Sequence, residues 1–302
     1  MSVGAATRAG LVALVGLPNA GKSTLVNRLV GQKISIVTPK AQTTRFRVRG
    51  VCMHEATQII LTDTPGMFFD KDAFNNAMFK EAEAGIKDAD AVAIIVDSTK
   101  PSHPYLARTM KTIFKGGKKL PAALVLNKVD EADKKALLAL ASQLNETYEF
   151  DHTFMVSALK GSGVDDVRGW MAGNMPESPY LYDPEELSDL PMRHMAAEVT
   201  REHCFKLLQQ EIPYGVHVMN ELWEEKSKGL TVIKQLILVS KEGHKKLVIG
   251  KGGSMLKRIG IRSRSDLEKI LEKKVHLDLH VKVDAKWQEK MVRTGLHPDQ
   301  FE

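Results

Sequence analysis

The chain has 302 residues, enough for two domains of ordinary size whose cores need no disulfide or metal staple. Apolar residues at 43% and charged residues at 26% exclude a disordered or collagen-like chain, and two well-separated cysteines, Cys52 and Cys204, exclude a disulfide framework or a cysteine-held zinc and fit a reducing cytosol. The net charge of +6 is mild but uneven: residues 176–225 carry 3 Lys and Arg against 11 Asp and Glu, and residues 226–274 carry 14 against 4.

An acidic stretch followed by a concentrated basic one marks a surface for a polyanion, with a solvated helix face as the plain alternative. The first ten residues hold no hydrophobic segment, and the run at 91–96 is far too short to span a bilayer. Along residues 1–175, short β-branched runs at 11–15, 59–61, 91–96, 122–126 and 154–156 alternate with stretches of helical spacing such as 134–144 and 164–171. Strands apolar throughout and separated by helices predict a mainly parallel sheet covered on both faces, with ligands beyond the carboxyl ends of the strands. Residues 46–54 and 57–62 read as one antiparallel hairpin at its edge.

The first strand runs into Gly16-Leu17-Pro18-Asn19-Ala20-Gly21-Lys22-Ser23, which fits G-x-x-x-x-G-K-[ST] and opens a helix. Backbone N–H groups turn inward around phosphate oxygens, Lys22 reaches the β and γ phosphates, and Ser23 can ligate Mg²⁺. The polar loop at 41–45 is within reach of such a metal. Asp63-Thr64-Pro65-Gly66 closes the next core strand; its aspartate can hold the metal's shell and its glycine amide can sense the γ-phosphate. Asn127-Lys128-Val129-Asp130 follows the strand at 122–126. The Asp130 carboxylate can accept both N–H groups of a guanine edge, Asn127 can serve the O6/N7 side, and the Lys128 stem can lie over the ring. Ser157-Ala158-Leu159 follows the next strand, where a backbone amide can reach O6.

Residues 174–192, rich in proline, read as a linker. Beyond it the pattern predicts an amphipathic helix at 193–210, strands at 216–225 and 231–240, a helix at 254–273 and a strand at 276–283. Val248-Ile249-Gly250-Lys251-Gly252-Gly253 lies inside the basic segment. Its GxxG pattern permits close approach to a nucleic-acid backbone, with Val248, Ile249 and Ile259 as an apolar floor for bases. Lys245, Lys246, Lys257, Arg258, Arg262 and Arg264 would meet phosphates. Spacing alone gives single-stranded nucleic acid, RNA favoured. The domains are therefore 1–175, a linker at 176–192, and 193–302.

In order and spacing, GLPNAGKS, QTTR, DTPG, NKVD and SAL resemble the translation-factor class of GTPases. Taken with VIGKGGSMLKRIGIRSRSDLEKILEKKVHLDLHVKV and YGVHVMNELWEE, the chain resembles the Era family of ribosome-assembly GTPases, a P-loop α/β domain followed by an α+β type II KH domain. The resemblance implies a GTP hydrolase with Mg²⁺ that binds the single-stranded 3′ end of small-subunit ribosomal RNA. It implies a cytoplasmic monomer, in some relatives peripheral at the inner membrane. It makes residues 33–47 and 67–80 the two switches and Thr44, ahead of Thr43, the Mg²⁺-binding threonine. Where the GTPase template has a water-orienting glutamine, this sequence has Met67, and Phe68 and Phe69 offer nothing better. In some relatives the P-loop asparagine, here Asn19, ligates K⁺ beside the β–γ bridge. Two other readings stay open: a GTPase of transfer-RNA modification or large-subunit assembly, and a non-hydrolysing RNA-binding protein.

Overall fold

The computed structural model describes residues 7–67, 72–100, 103–114, 120–227 and 229–296. Phe68, Phe69 and part of the second switch lie outside them. Two units emerge: the described residues up to Ser35 with Thr44–Asp189, and Ile36–Thr43 with those from Leu190 on. The chain therefore divides later than residue 175, and eight residues of the first switch go with the second unit.

The first unit runs β1 (Arg8–Gly16), α1 (Lys22–Val30), β2 (Val48–His54), β3 (Thr57–Asp63), α2 (Ala73–Asp88), β4 (Ala91–Asp97), α3 (Leu106–Phe114), β5 (Ala122–Asn127), α4 (Lys134–Thr147), β6 (His152–Val156) and α5 (Val164–Gly173). Its sheet has the order β2-β3-β1-β4-β5-β6, with β2 antiparallel to β3 and the other pairings parallel. Every residue of β3 and β5 is buried, and the apolar runs at 59–61 and 122–126 lie within them, as expected for strands covered on both faces. Val92, Ile94, Leu124 and Leu126 form the core with Met110, Leu137 and Leu140 of α3 and α4. Asp72 and Asp133 cap α2 and α4 by accepting from N–H groups of the first turns.

Residues 176–189, expected to be a linker, form an ordered strap on this unit. The Val51 N–H of edge strand β2 donates to Leu187 O at 2.9 Å, and the Ser188 hydroxyl donates to Arg49 O at 2.8 Å. The buried Gln58 side chain donates to Tyr182 O and accepts from the Leu181 and Tyr182 N–H groups. The strap covers donors that an open edge strand would leave exposed.

The second unit runs α6 (Met192–Leu207), β7 (Val216–Lys226), β8 (Leu230–Val239), α7 (Glu242–Ile249), α8 (Ser254–Leu271), β9 (Lys274–Val283) and α9 (Trp287–Thr294). β8 pairs antiparallel with β7 and parallel with β9. The element order from α6 to β9 is that of the type II KH arrangement. Ala197, Cys204, Val218, Ile237, Val248 and Ile259 share its core. Helix α6 is not amphipathic as expected: residues 194–205 are buried on every side, including the charged Glu198, Arg201 and Glu202. Both cysteines are free and buried, and burial pushes their thiols up to about 11 for Cys52 and about 12 for Cys204. Among the described residues no helix is long and apolar enough to cross a membrane.

Candidate nucleotide and RNA sites

In the first unit, β1 delivers the chain at Gly16 and α1 takes it up at Lys22. Gly21, between them, sits at φ +96°, and a Cβ there would lie 2.1 Å from Asn127 Nδ2, so only glycine fits the turn. Asn19 also holds a positive φ, 62°, a conformation uncommon outside glycine and concentrated at functional loops. Leu17 and Ala20 are buried within the loop, and the Ala20 N–H donates to Leu17 O at 3.4 Å. Lys22 is buried, and its Nζ donates to Gly16 O at 3.2 Å and Leu17 O at 3.0 Å. Burial lowers its pKa to about 8, against the opposing pull of Asp63.

Three oxygen donors meet next to it. Ser23 Oγ lies 3.0 Å from Thr44 Oγ1, and Thr44 Oγ1 lies 3.4 Å from Asp63 Oδ2. Asp63 is fully buried, and its Oδ1 has no hydrogen-bond partner among the described residues. Burial pushes its carboxyl above the ordinary range despite the Ser23 hydroxyl and the Lys22 ammonium. A buried carboxylate oxygen without a partner, flanked by two hydroxyls, suits a hard divalent cation that prefers oxygen, and Mg²⁺ fits this donor set. Thr64 does not join it, because its hydroxyl donates to Leu14 O at 2.7 Å. A Cβ on Gly66 would come 2.8 Å from Pro18, so these two loops meet backbone to backbone.

The purine-reading loops follow β5 and β6. Asn127 does not point both amide atoms at a base: its Nδ2 donates to Ala20 O at 2.8 Å, and its Oδ1 accepts from the Ala158 N–H at 2.9 Å. It braces the phosphate loop against the Ser157 turn. The Ala158 amide is thereby bonded to Asn127. Lys128, at φ 65°, donates to Asp97 Oδ2 at 2.6 Å, which fixes its stem. Asp130 lies 3.3 Å from Lys160 Nζ, and the Ser157 hydroxyl, with Lys160 behind it, holds its carboxyl below the usual range. Asp97 and Lys160 went unnoticed in the sequence. Asp97 could have been found, because it ends β4 in parallel register with Asn127.

In the second unit the GxxG segment is an elbow between two helices. The Gly250 N–H donates to Lys246 O at 2.9 Å, closing α7, and α8 begins at Ser254. Gly250 sits at φ +74°, and a Cβ there would lie 2.8 Å from the Met255 N. Lys246 on α7, Lys251 in the elbow, and Lys257, Arg258, Arg262 and Arg264 along α8 are exposed. The apolar floor differs from expectation. Val248 and Ile259 are wholly buried in the core, whereas Leu247 (55% exposed) and Ile261 (50%) stand at the surface. Helical phase decides this, and the sequence could have shown it had α7 been recognised.

A P-loop, a metal-suited oxygen cluster and the Asp130 carboxylate of NKVD, followed by a KH unit, define a KH-bearing GTPase. Family descriptions agree: "50S ribosome-binding GTPase" matches residues 11–128 and "KH domain" matches residues 211–288. The chain belongs to the Era family of GTPases. It is 47% identical to GTPase Era of Sinorhizobium medicae over 283 residues, covering 93% of this chain and 90% of that one. It is 46% identical to GTPase Era of Bradyrhizobium diazoefficiens over 298 residues, covering 98% and 94%. Among solved structures it is similar to Era in complex with MgGDPNP and nucleotides 1506–1542 of 16S ribosomal RNA, with TM-score 0.88, 36% identity, and coverage of 93% of this chain and 95% of that one. A point variant of Aquifex aeolicus Era bound to GDP.AlF4- matches with TM-score 0.88, 36% identity, and coverage of 93% and 96%.

Proposed function

We propose that this GTPase is an RNA-binding switch: carrying Mg·GTP it holds the single-stranded 3′ end region of small-subunit ribosomal RNA, and hydrolysis releases it from the maturing subunit. The convergence of Ser23, Thr44 and Asp63 beside Lys22, in a chain that also presents a GxxG elbow among exposed cations, carries this reading. The likeness to an Era bound to 16S ribosomal RNA supports it. The protein acts as a cytoplasmic monomer.

Ser23, Thr44 and Asp63 would hold Mg²⁺, which supplies positive charge opposite the phosphate oxygens. Lys22 exchanges its two carbonyl acceptors for phosphate oxygens, a stronger acceptor that favours its charged form. Asp130 selects guanine by accepting its N1 and N2 hydrogens. Met67 is wholly buried and its N–H donates to Gly16 O at 3.1 Å, so its thioether does not orient water. Backbone near Thr44 would hold the water, and Asn19 would hold K⁺, which would supply positive charge beside the phosphates. Turnover should therefore be about tenfold faster in K⁺ than in Na⁺. Asn19→Ala should remove the difference, and equal rates in both salts for the unsubstituted chain would exclude K⁺ from the mechanism.

Crosslinking the full chain to RNA in cells tests the target. Reads at the 3′ end of small-subunit ribosomal RNA are expected. Reads dominated by transfer RNA or large-subunit RNA would move the function to one of the rival readings.

A further inference from the structure

Helix α1 shapes the surroundings of the metal-suited group through more than Ser23. It ends at Gly31, whose left-handed φ of +82° and N–H bond to Asn27 O turn the chain back along the helix. Asn27, one turn beyond Ser23 and on the same face of α1, catches the returning chain. Its Nδ2 donates to Ser35 O at 2.8 Å, and its Oδ1 accepts from the Ile34 and Ser35 N–H groups, both at 2.9 Å. An amide bonded in this way to two consecutive residues leaves their backbone one orientation. Ile34 is itself buried, and a Cβ on Gly50 of β2 would lie 2.4 Å from its Cδ1, so the edge strand leaves room for it. Asn27, Ile34, Ser35, Gly50 and Asp63 all belong to the first unit.

The clamp fixes what Ser35 presents. Ser35 is 3% exposed, and its Oγ makes no hydrogen bond among the described residues; the same holds for Asp63 Oδ1. The two side chains are neighbours: burial raises the Asp63 carboxyl, and the Ser23 hydroxyl, the Lys22 ammonium and the Ser35 hydroxyl each draw it back down. A buried hydroxyl without a bond costs free energy, and a polar ligand at the site offsets that cost. Mg²⁺ bound by a protein keeps several of its waters. A serine hydroxyl has one donor and two acceptor positions, enough to bond the carboxylate and such a water together. Groups that orient a metal's ligands in this manner typically change metal affinity by about 10–100-fold when removed.

We propose that Ser35 is a further member of the Mg²⁺ site, set in place by Asn27, its hydroxyl holding the Asp63 carboxylate and a water of the ion. Both are positioning residues, since Ser35 acts through Asp63 and the water, and Asn27 acts through Ser35. The inference rests on the reading of Ser23, Thr44 and Asp63 as the metal-binding group. It adds to that group a residue that none of the sequence motifs contains.

Release of fluorescent GDP from the 302-residue chain, followed across a Mg²⁺ titration and in EDTA, tests this. Ser35→Ala should raise the Mg²⁺ concentration that half-maximally slows release by about 10–100-fold and leave release in EDTA nearly unchanged. Asn27→Ala, which frees the backbone at 34–35, should shift the Mg²⁺ response in the same direction; if that variant fails to fold, Ser35→Ala decides the matter. An unchanged Mg²⁺ response in folded Ser35→Ala would overturn the proposal. Release accelerated equally with Mg²⁺ and in EDTA would overturn it too, because a merely structural role gives that result. If Mg²⁺ had no effect on GDP release from the unsubstituted chain, the reading of the metal-binding group would itself be refuted and this inference with it, a distinct failure.

Discussion

Asp130→Asn should exchange guanine preference for xanthine preference, with a loss of GDP affinity on the order of 100- to 10,000-fold. In the proposed reading the carboxylate accepts both the N1 and N2 hydrogens of guanine, and bonds to a charged group contribute about 1.5–3 kcal/mol each. Asparagine offers one acceptor and one donor, so its NH₂ meets the guanine N2 hydrogens donor to donor. Xanthine replaces that amino group with an oxygen and restores the match. The neighbourhood is prepared for an anion here, because Lys160 lies 3.3 Å from Asp130 and the Ser157 hydroxyl keeps its carboxyl ionised. The change is isosteric and leaves the Asn127 brace intact. Titration with fluorescent GDP and XDP measures it. Retention of GDP affinity by the variant would show that another group reads the base.

The second large effect is expected at the helix–helix elbow. Lys251→Asp with Gly252→Asp should weaken binding to single-stranded RNA by on the order of 100-fold and flatten its salt dependence. One cation becomes an anion and a second anion is added where the proposed reading places the phosphodiester backbone. The fold should tolerate both. Lys251 is exposed, a Cβ on Gly252 would meet nothing within 4 Å, and its φ of +58° is one that aspartate adopts more readily than most residues. Gly250 is the contrast, since a side chain there would press on the first turn of α8; Gly250→Ala should lower the melting temperature as well as RNA affinity. Unaltered RNA affinity in the doubly substituted, folded protein would move the RNA site elsewhere.

What the sequence disclosed follows from which physical signals are local. Strands such as Ala122–Asn127 are legible because a run buried on both faces must be apolar throughout. The phosphate loop is legible because its glycines, lysine and serine are adjacent. The strap at 176–189 was not, because it is held through backbone and single side-chain bonds that leave no periodicity. Its prolines report turns equally well in a tether and in an edge cover. The placement of Ile36–Thr43 was hidden for another reason: its anchors lie about 160 residues away along the chain. Asn127 shows the limit of motif reading. Spacing identifies the residue, but only geometry shows its amide tying Ala20 to Ala158.

In a switch of this kind nucleotide and RNA are mutually dependent ligands of one chain, and such coupling is reciprocal. The decisive measurement is the affinity of the 302-residue chain for a single-stranded RNA of the small-subunit 3′ sequence, with Mg²⁺ and either a non-hydrolysable GTP analogue or GDP. Tighter binding with the analogue is predicted, and RNA should tighten the analogue relative to GDP by the same factor. Equal RNA affinity in the two nucleotide states would contradict the switch, however well each ligand bound by itself.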